Sequence, residues 1–195
     1  IYGTQLWLPF SGYPAGLGSI FIIDPLYTLP LAIGIYGALR LRADWPRARR
    51  WNLYGLAVAT AYLAWSVAAQ QVVERRAHEA IAESGIRAER VLATPTAINT
   101  VFWRIVAVGD DAHWEALHVI GSDREIAFRR YDHDPELLAG IEDQWAVRRL
   151  QYFTKGLYSV TERDGDVVIT DLRMGQAGFY VFAYRVGARD NGVTR

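Results

Sequence analysis

The sequence predicts two transmembrane helices followed by a small α+β domain with an antiparallel sheet. Two apolar stretches, Ile20 to Leu41 and Trp51 to Val73, are each about long enough to cross a hydrocarbon core of ~30 Å at ~1.5 Å per residue. A short arginine-rich segment separates them. After a helical extension beyond Val73, the hydrophobic pattern changes to the period of two that is typical of strands. We therefore expect a membrane region and a sheet domain in one chain of 195 residues.

The expected membrane region covers residues 1–85 and the expected extracytoplasmic α+β domain covers residues 86–195. Within the membrane region we expect an interfacial loop over 1–19 and helices over 20–41 and 51–84. The second helix is expected to end at Gly85, because glycine is the usual residue just past a helix C-terminus. Aromatic side chains of the loop suit the lipid headgroup zone, and they are Tyr2, Trp7, Phe10 and Tyr13.

The segment between the apolar stretches carries five arginines and a single acidic residue, Asp44. An excess of arginine in a short connection is typical of the cytoplasmic side of a membrane protein. This pattern places the turn in the cytoplasm and the residues after Val73 on the other side, and it favours a multi-pass protein of the bacterial inner membrane. Because the chain starts at Ile1 without a charged leader, we expect it to be the C-terminal piece of a longer protein. The arginines are Arg40, Arg42, Arg47, Arg49 and Arg50.

Beyond the membrane region, alternation and turn signals predict five or six strands and one helix. Gly109-Asp110-Asp111 and Asp164-Gly165 mark two hairpins, and Asp134-Pro135 marks a helix start. The expected strands and helix are Thr100–Val108, Trp114–Ile120, Glu125–Tyr131, a helix from Pro135 to about Tyr152, two strands around Asp164-Gly165, and Gly178–Val186.

Composition excludes several functional classes. After residue 74 the chain has 16 basic and 18 acidic residues, so it lacks the positive charge of a nucleic-acid-binding domain. The absence of cysteine excludes disulfides and thiolate metal sites. No nucleophile-elbow, phosphate-loop or dinucleotide-binding motif is present.

Asp24 is the candidate functional residue that the residues themselves single out. An ionisable side chain in a membrane segment is costly and indicates a functional site. However, aspartate directly before Pro25 also has the pattern of a helix N-cap followed by the first helical residue. The sequence leaves both roles open, with capping the simpler one.

Two early segments and three later ones carry a family resemblance. YGTQL-x-x-PFS and IFIIDPLYTLPL, with TPTAINTVFWR, YFTKGLYSV and DLRMG, resemble the YdjM-like family of inner-membrane proteins, which are described as metal-dependent hydrolases. The resemblance implies a divalent metal ion, zinc or manganese, and a phosphoester or phospholipid substrate in the cell envelope. It carries over to Tyr2, Gly3, Thr4, Gln5, Pro9 and Asp24, of which Asp24 is the implied metal ligand. The family's histidine motifs would lie before Ile1.

The alternative is a non-enzymatic membrane-anchored binding module. Residues 86–195 contain no evident catalytic constellation, and catalytic residues therefore stay unassigned. His113 and Glu115 share a strand face and are expected to be exposed polar residues. Asp132-His133-Asp134 has the pattern of a helix start more than that of a metal site. In a third interpretation, both apolar stretches are buried helices of a soluble protein.

Overall fold

A computed structural model describes residues 3–12, 14–190 and 193–194 of the chain, so Tyr2 and Tyr13 lie outside the described residues. The chain divides into two compact units. The helical unit comprises Ile1–Arg75, Thr94–Trp103 and Val119–Ser122. The sheet unit comprises Arg76–Ala93, Arg104–His118 and Asp123–Arg195.

Two helices, α1 (Pro25–Arg40) and α2 (Trp45–Glu83), occupy most of the first 85 residues. α1 begins at Pro25 because the Asp24 side chain accepts the amide proton of Leu26 and the proline ring fits the first helical position. α2 ends as predicted, since Gly85 takes the left-handed conformation with φ +67° and its amide donates to the carbonyl of Ala82.

The prediction of two transmembrane helices is wrong. α1 has 16 residues, which at ~1.5 Å per residue give about 24 Å, less than a hydrocarbon core of ~30 Å. The apolar run from Ile20 is longer, but Asp24-Pro25 delays the helix start and leaves residues 20–23 non-helical. Within the part of the chain that the structure describes, α2 is the one helix long and apolar enough to cross a membrane. Of the two spans on which the expectation of a multi-pass protein was based, one is therefore not found in the described residues.

α1 and α2 pack antiparallel through glycine. A Cβ atom on Gly55 would lie 2.5 Å from the carbonyl oxygen of Pro30 and 2.9 Å from the Cα of Gly34. A Cβ atom on Gly37 would lie 2.7 Å from the indole ring of Trp51. Backbone therefore meets backbone, which is the packing that small residues permit between helices in lipid.

Large apolar side chains cover the outer faces of both helices. Contiguous apolar surface of this kind is rare on soluble monomers and marks contact with a membrane or another protein. More than two fifths of each of these side chains is exposed, and they include Leu26, Leu29, Ile33, Ile35, Leu39, Leu53, Leu56, Val58 and Val72.

The remaining chain forms antiparallel sheets. One sheet has the strand order β1-β2-β3-β4, a second has the order β10-β9-β6-β5, and β7 and β8 form a small hairpin. The strands are β1 (Arg90–Pro95), β2 (Phe102–Val108), β3 (Ala112–Val119), β4 (Arg129–Asp132), β5 (Tyr158–Arg163), β6 (Asp166–Asp171), β7 (Gly175–Gln176), β8 (Phe179–Tyr180), β9 (Ala183–Asp190) and β10 (Val193–Thr194).

Both predicted hairpins are confirmed, and the second turns at Asp164-Gly165, where both residues have positive φ. The predicted helix from Pro135 is interrupted instead. Gly140, with φ +87°, separates a 3₁₀ helix (Pro135–Leu138) from α3 (Trp145–Thr154). β1 was not predicted, because RVLATP has little alternation of apolar and polar residues.

The hydrophobic core of the sheet unit lies on one face of β5 and β6. Val160, Val167 and Ile169 point to this face and are fully buried. They pack against Leu137, Leu138, Ile141 and Val147 from the 3₁₀ helix, the segment after it and α3. The next residues along β5 and β6 must therefore point to the opposite face.

We expect Gly55→Ala to destabilise the chain despite improving helix propensity. Alanine favours an isolated helix by about 1 kcal/mol over glycine, so a loss can only come from the forced separation of α1 and α2. Overpacking costs about 1–3 kcal/mol, and a Cβ atom 2.5 Å from the backbone oxygen of Pro30 places Gly55→Ala at the upper end, beyond the gain in helix propensity. The melting temperature in detergent measures it, and Ala57→Leu, which adds more bulk on the exposed face of α2, is the control. Equal melting temperatures for Gly55→Ala and the wild type would contradict the close packing.

Candidate functional site

The face of the second sheet opposite the core carries hydroxyl side chains. Ser159 and Thr161 alternate along β5 with the buried Val160, and Thr170 of β6 pairs directly with Ser159. Ser159 and Thr170 are buried, although hydroxyl groups normally favour water. Side chains alternate between the two faces along VTER in β5 and along VVIT in β6. These hydroxyl groups therefore share one face, and their hydrogen-bond partners have to lie on that face.

That surface forms one wall of a cleft of about 210 Å³. Strands β3 and β4 form the other wall with His113 and Tyr131, and Tyr180 of β8 lies at the end. Three residues that line the cleft each have a buried side-chain atom without a hydrogen-bond partner among the described residues: Nδ1 of His113, Oγ1 of Thr161 and Oγ1 of Thr170. Leaving a buried polar atom unpaired costs about 1–3 kcal/mol. Three such residues around one cleft make it a candidate binding site.

A buried ion pair between Arg104 and Glu115 adjoins the cleft. The two side chains are 6% and 10% exposed, and the guanidinium donates to both carboxylate oxygens of Glu115. Arg104 also donates to the carbonyl of Leu172 at 2.8 Å, and Glu115 accepts the amide proton of Ala177 at 3.0 Å. These bonds connect β2, β3 and the segments on either side of β7.

The hydrogen bonds of His113 determine its tautomer. The Tyr180 hydroxyl donates its single proton to Oε1 of Glu115, so its oxygen can only accept from the imidazole. Nε2 of His113 lies 3.2 Å from that oxygen and therefore carries the proton. Nδ1 is left with a lone pair, which makes it a hydrogen-bond acceptor among the groups that line the cleft.

The pKa values of these groups follow from burial and from the ion pair. Burial lowers the pKa of His113 to about 4, with smaller effects from neighbouring charges, so the ring is neutral at pH 7. Burial alone would raise the pKa of Glu115, but the hydrogen bonds and charge of Arg104 hold it below its ordinary value. Burial, then the Glu115 carboxylate, raise the pKa of Tyr180. The hydrogen-bonded series His113–Tyr180–Glu115 therefore consists of a neutral imidazole, a neutral phenol and a carboxylate.

A second cleft of about 430 Å³ lies beside the same ion pair. Arg104, Glu115, Arg129 and Tyr131 line it, and Tyr131 and Ala177 line both clefts. No unpaired buried atom of the described residues lines this second cleft. The smaller, hydroxyl-lined cleft is therefore the stronger candidate for a binding site.

Asp24 lies in the helical unit and is 1% exposed. Its Oδ1 accepts the amide proton of Leu26 at 2.9 Å, and its Oδ2 accepts the hydroxyl proton of Tyr62 at 2.7 Å. The Tyr62 oxygen is in turn 3.3 Å from Oγ1 of Thr100, to which the indole of Trp65 donates. Both carboxylate oxygens thus have partners, and the geometry is that of a helix cap joined to α2.

The described residues do not fit a metal centre. Among them there is no group of three or more histidine or carboxylate side chains that could hold a metal ion. Both carboxylate oxygens of Asp24 accept hydrogen bonds, one from the Leu26 amide and one from the Tyr62 hydroxyl. A role for Asp24 as a metal ligand stays a prediction of the resemblance, and no chemical step is derived from it.

Asp134, Thr4 and Gln5, which the sequence also singled out, have local structural roles. Asp134 caps the 3₁₀ helix by accepting the amide proton of Glu136 at 3.0 Å, as expected. The backbone of Thr4 pairs with Ala15, and the Gln5 side chain donates to the carbonyl of Gly12, so both hold the early loop together.

The prediction that His113 and Glu115 are exposed is wrong. His113 is 4% exposed, and Glu115 accepts bonds from Arg104 and Tyr180. Sequence analysis missed Arg104 itself. The sequence pattern that could have identified Arg104 is a single charged residue inside the apolar run of β2, FWRIVAV, because a charge in a buried strand requires a counter-charge.

We expect Arg104→Met to lower the free energy of unfolding by about 3–5 kcal/mol, because it leaves the Glu115 carboxylate buried without its counter-charge. Arg130→Met is the matched control. Arg130 pairs with Asp111 and Asp132 at the exposed surface, where ion pairs contribute about 0–1 kcal/mol. Chemical denaturation of the two variants measures the difference, and equal losses would contradict the importance of the buried pair.

Stability should fall between neutral and mildly acidic pH because of His113. Folding depresses its pKa from 6.5 to about 4, so the unfolded chain takes up the proton first. The contribution is fully present above pH 6.5 and is lost as the pH falls towards 4, by up to about 3 kcal/mol.

Melting temperatures of wild type and His113→Gln at pH 7 and pH 5 test this pH dependence. From pH 7 to pH 5 the melting temperature of the wild type should fall further than that of His113→Gln, since glutamine does not titrate. Burial and the charge of Arg76 also lower the pKa of His118, but that effect is common to both proteins. An identical decrease in both would contradict the role of His113.

Comparison of the chain with protein-family models, with curated proteins and with solved structures gives no match. The resemblance to the YdjM-like family therefore stays a prediction from the motifs that carry it. Function is therefore inferred from the geometry of the cleft and of the helices.

Proposed function

We propose that the chain is a membrane-anchored binding module that holds a small, uncharged, hydroxyl-rich molecule in the cleft between β3–β4 and β5–β6. The observation that carries the proposal is that three residues lining one cleft, His113, Thr161 and Thr170, each have a buried side-chain atom without a partner among the described residues. A ligand with hydroxyl groups would donate to Nδ1 of His113 and exchange hydrogen bonds with both threonines.

The anchor in this proposal is α2. The helix is apolar and long enough to span a bilayer, and the arginines lie at its N-terminal end. Arginine favours the cytoplasmic side, so we place the sheet unit on the outer side of a bacterial inner membrane. Retention of the chain in the membrane pellet after alkaline carbonate extraction tests the anchor, and release into the supernatant would contradict it.

The ligand class follows from charge and size. One base and one acid line the cleft among the described residues, Arg163 and Asp132, and His113 is neutral at pH 7. The charges of the lining therefore cancel, which favours a ligand without net charge. A volume of about 210 Å³ equals roughly seven water molecules, which suits a monosaccharide or a similar polyol. The rings of Tyr131 and Tyr180 provide apolar faces for its carbon skeleton.

The alternative function, a metal-dependent hydrolase acting on a phosphoester or phospholipid, rests on the resemblance and on Asp24. It requires further ligands beyond those that the described residues bring together. We therefore favour the binding module and keep the hydrolase as a prediction.

We expect Thr170→Val to weaken ligand binding while leaving the free protein at least as stable. Valine has the shape of threonine and removes one unpaired hydroxyl, so the unbound chain loses a cost of about 1–3 kcal/mol. The lost hydrogen bond to a ligand corresponds to about three- to tenfold in affinity. Calorimetric titration of the detergent-purified chain with glucose and N-acetylglucosamine measures binding, and glucose 6-phosphate tests the preference for neutral ligands.

Thr94→Val is the matched control, because Thr94 is also a buried strand threonine but does not line the cleft. It should leave affinity unchanged. Failure of both neutral sugars to bind the wild type, or equal affinity in Thr170→Val, would contradict the proposed binding module.

A further inference from the structure

The turn between α1 and α2 carries a concentration of positive charge that the binding module does not use. Five arginines between residues 40 and 50 face a single acid, Asp44, and all five side chains are exposed. Among the described residues, Arg47 is the one member of this group with an ion pair, 3.3 Å from Asp44. An exposed pair of that kind contributes little, so the turn keeps its positive character.

Two of these arginines form part of a groove on α2. Arg47, Arg50, Trp51 and Tyr54 line a cavity of about 300 Å³. Their spacing of three, four and seven residues places them on one face of the helix. Arg50 uses its Nε atom to donate to the carbonyl of Pro46 at 3.4 Å, which leaves its terminal nitrogens available to a ligand.

We infer that this groove, the headgroup groove, binds an anionic phospholipid. A guanidinium matches the geometry of a phosphate and can donate two parallel hydrogen bonds to it. Trp51 and Tyr54 are 46% and 66% exposed beside the arginines, and such amphipathic rings favour the headgroup level of a bilayer.

A lipid explains the groove better than a free anion does. The groove lies at the end of the apolar stretch of α2, where a spanning helix emerges from the hydrocarbon core. The aromatic rings would contact the glycerol and the first part of the acyl chains, for which a soluble phosphate has no counterpart. Anionic lipids also concentrate at the membrane surface that arginine-rich segments face.

Lipid retention measured by native mass spectrometry tests the inference on the full detergent-purified chain. The wild type should retain phosphatidylglycerol in preference to phosphatidylcholine. The double variant Arg47→Gln/Arg50→Gln should lower phosphatidylglycerol retention about tenfold, because each arginine near the membrane surface contributes to anionic lipid binding. Arg148→Gln/Arg149→Gln, which removes the same charge from two exposed positions of α3, should have no effect.

A second variant distinguishes the effect of positive charge from that of the guanidinium geometry. Arg47→Lys/Arg50→Lys keeps the charge but cannot form the paired hydrogen bonds, so its retention should lie between the wild type and the glutamine variant. Equal retention of both lipids by the wild type, or an equal loss in the α3 control, would overturn the inference. Displacement of phosphatidylglycerol by millimolar inorganic phosphate would overturn it in favour of a free phosphate site.

Discussion

The sheet unit depends on one electrostatic constraint, the compensation of the Arg104 charge by Glu115. Neither charge could remain in a nearly water-free interior alone. Together they determine where four segments meet, because Arg104 also binds the carbonyl of Leu172 and Glu115 also binds Tyr180 and the amide of Ala177. The position of Tyr180 in turn determines the tautomer of His113. The acceptor in the cleft is therefore a consequence of an ion pair in an adjoining part of the fold.

The structure contrasts two ways of treating buried polar groups. Around Asp24, each carboxylate oxygen has a partner, so the site is stable by itself and joins α1 to α2. Among the described residues that line the cleft, His113, Thr161 and Thr170 each keep a buried atom without a partner, which lowers stability. This contrast is the reason for proposing the cleft, and not the surroundings of Asp24, as a binding site.

Local signals in the sequence predicted local structure well. The Asp24-Pro25 start, the Gly85 stop and the Asp164-Gly165 turn each depend on a few neighbouring residues and are found as expected. The number of spans was wrong because apolar length was counted through Asp24, which caps a helix that starts at Pro25, five residues after the start of the apolar run. The cleft could not be predicted, since it requires β3 and β5 to meet, and no short-range pattern specifies that meeting.

The glycine contacts between α1 and α2 restrict how the hairpin can move. With Gly34 and Gly55 in backbone contact, sliding α1 along α2 by one helical turn would bring Pro30 or Ala38, four positions away on the same face of α1, against a space that accepts no side chain. The sequence therefore encodes a single register for the two helices. Movement of α1 along α2 therefore requires the two helices to separate first.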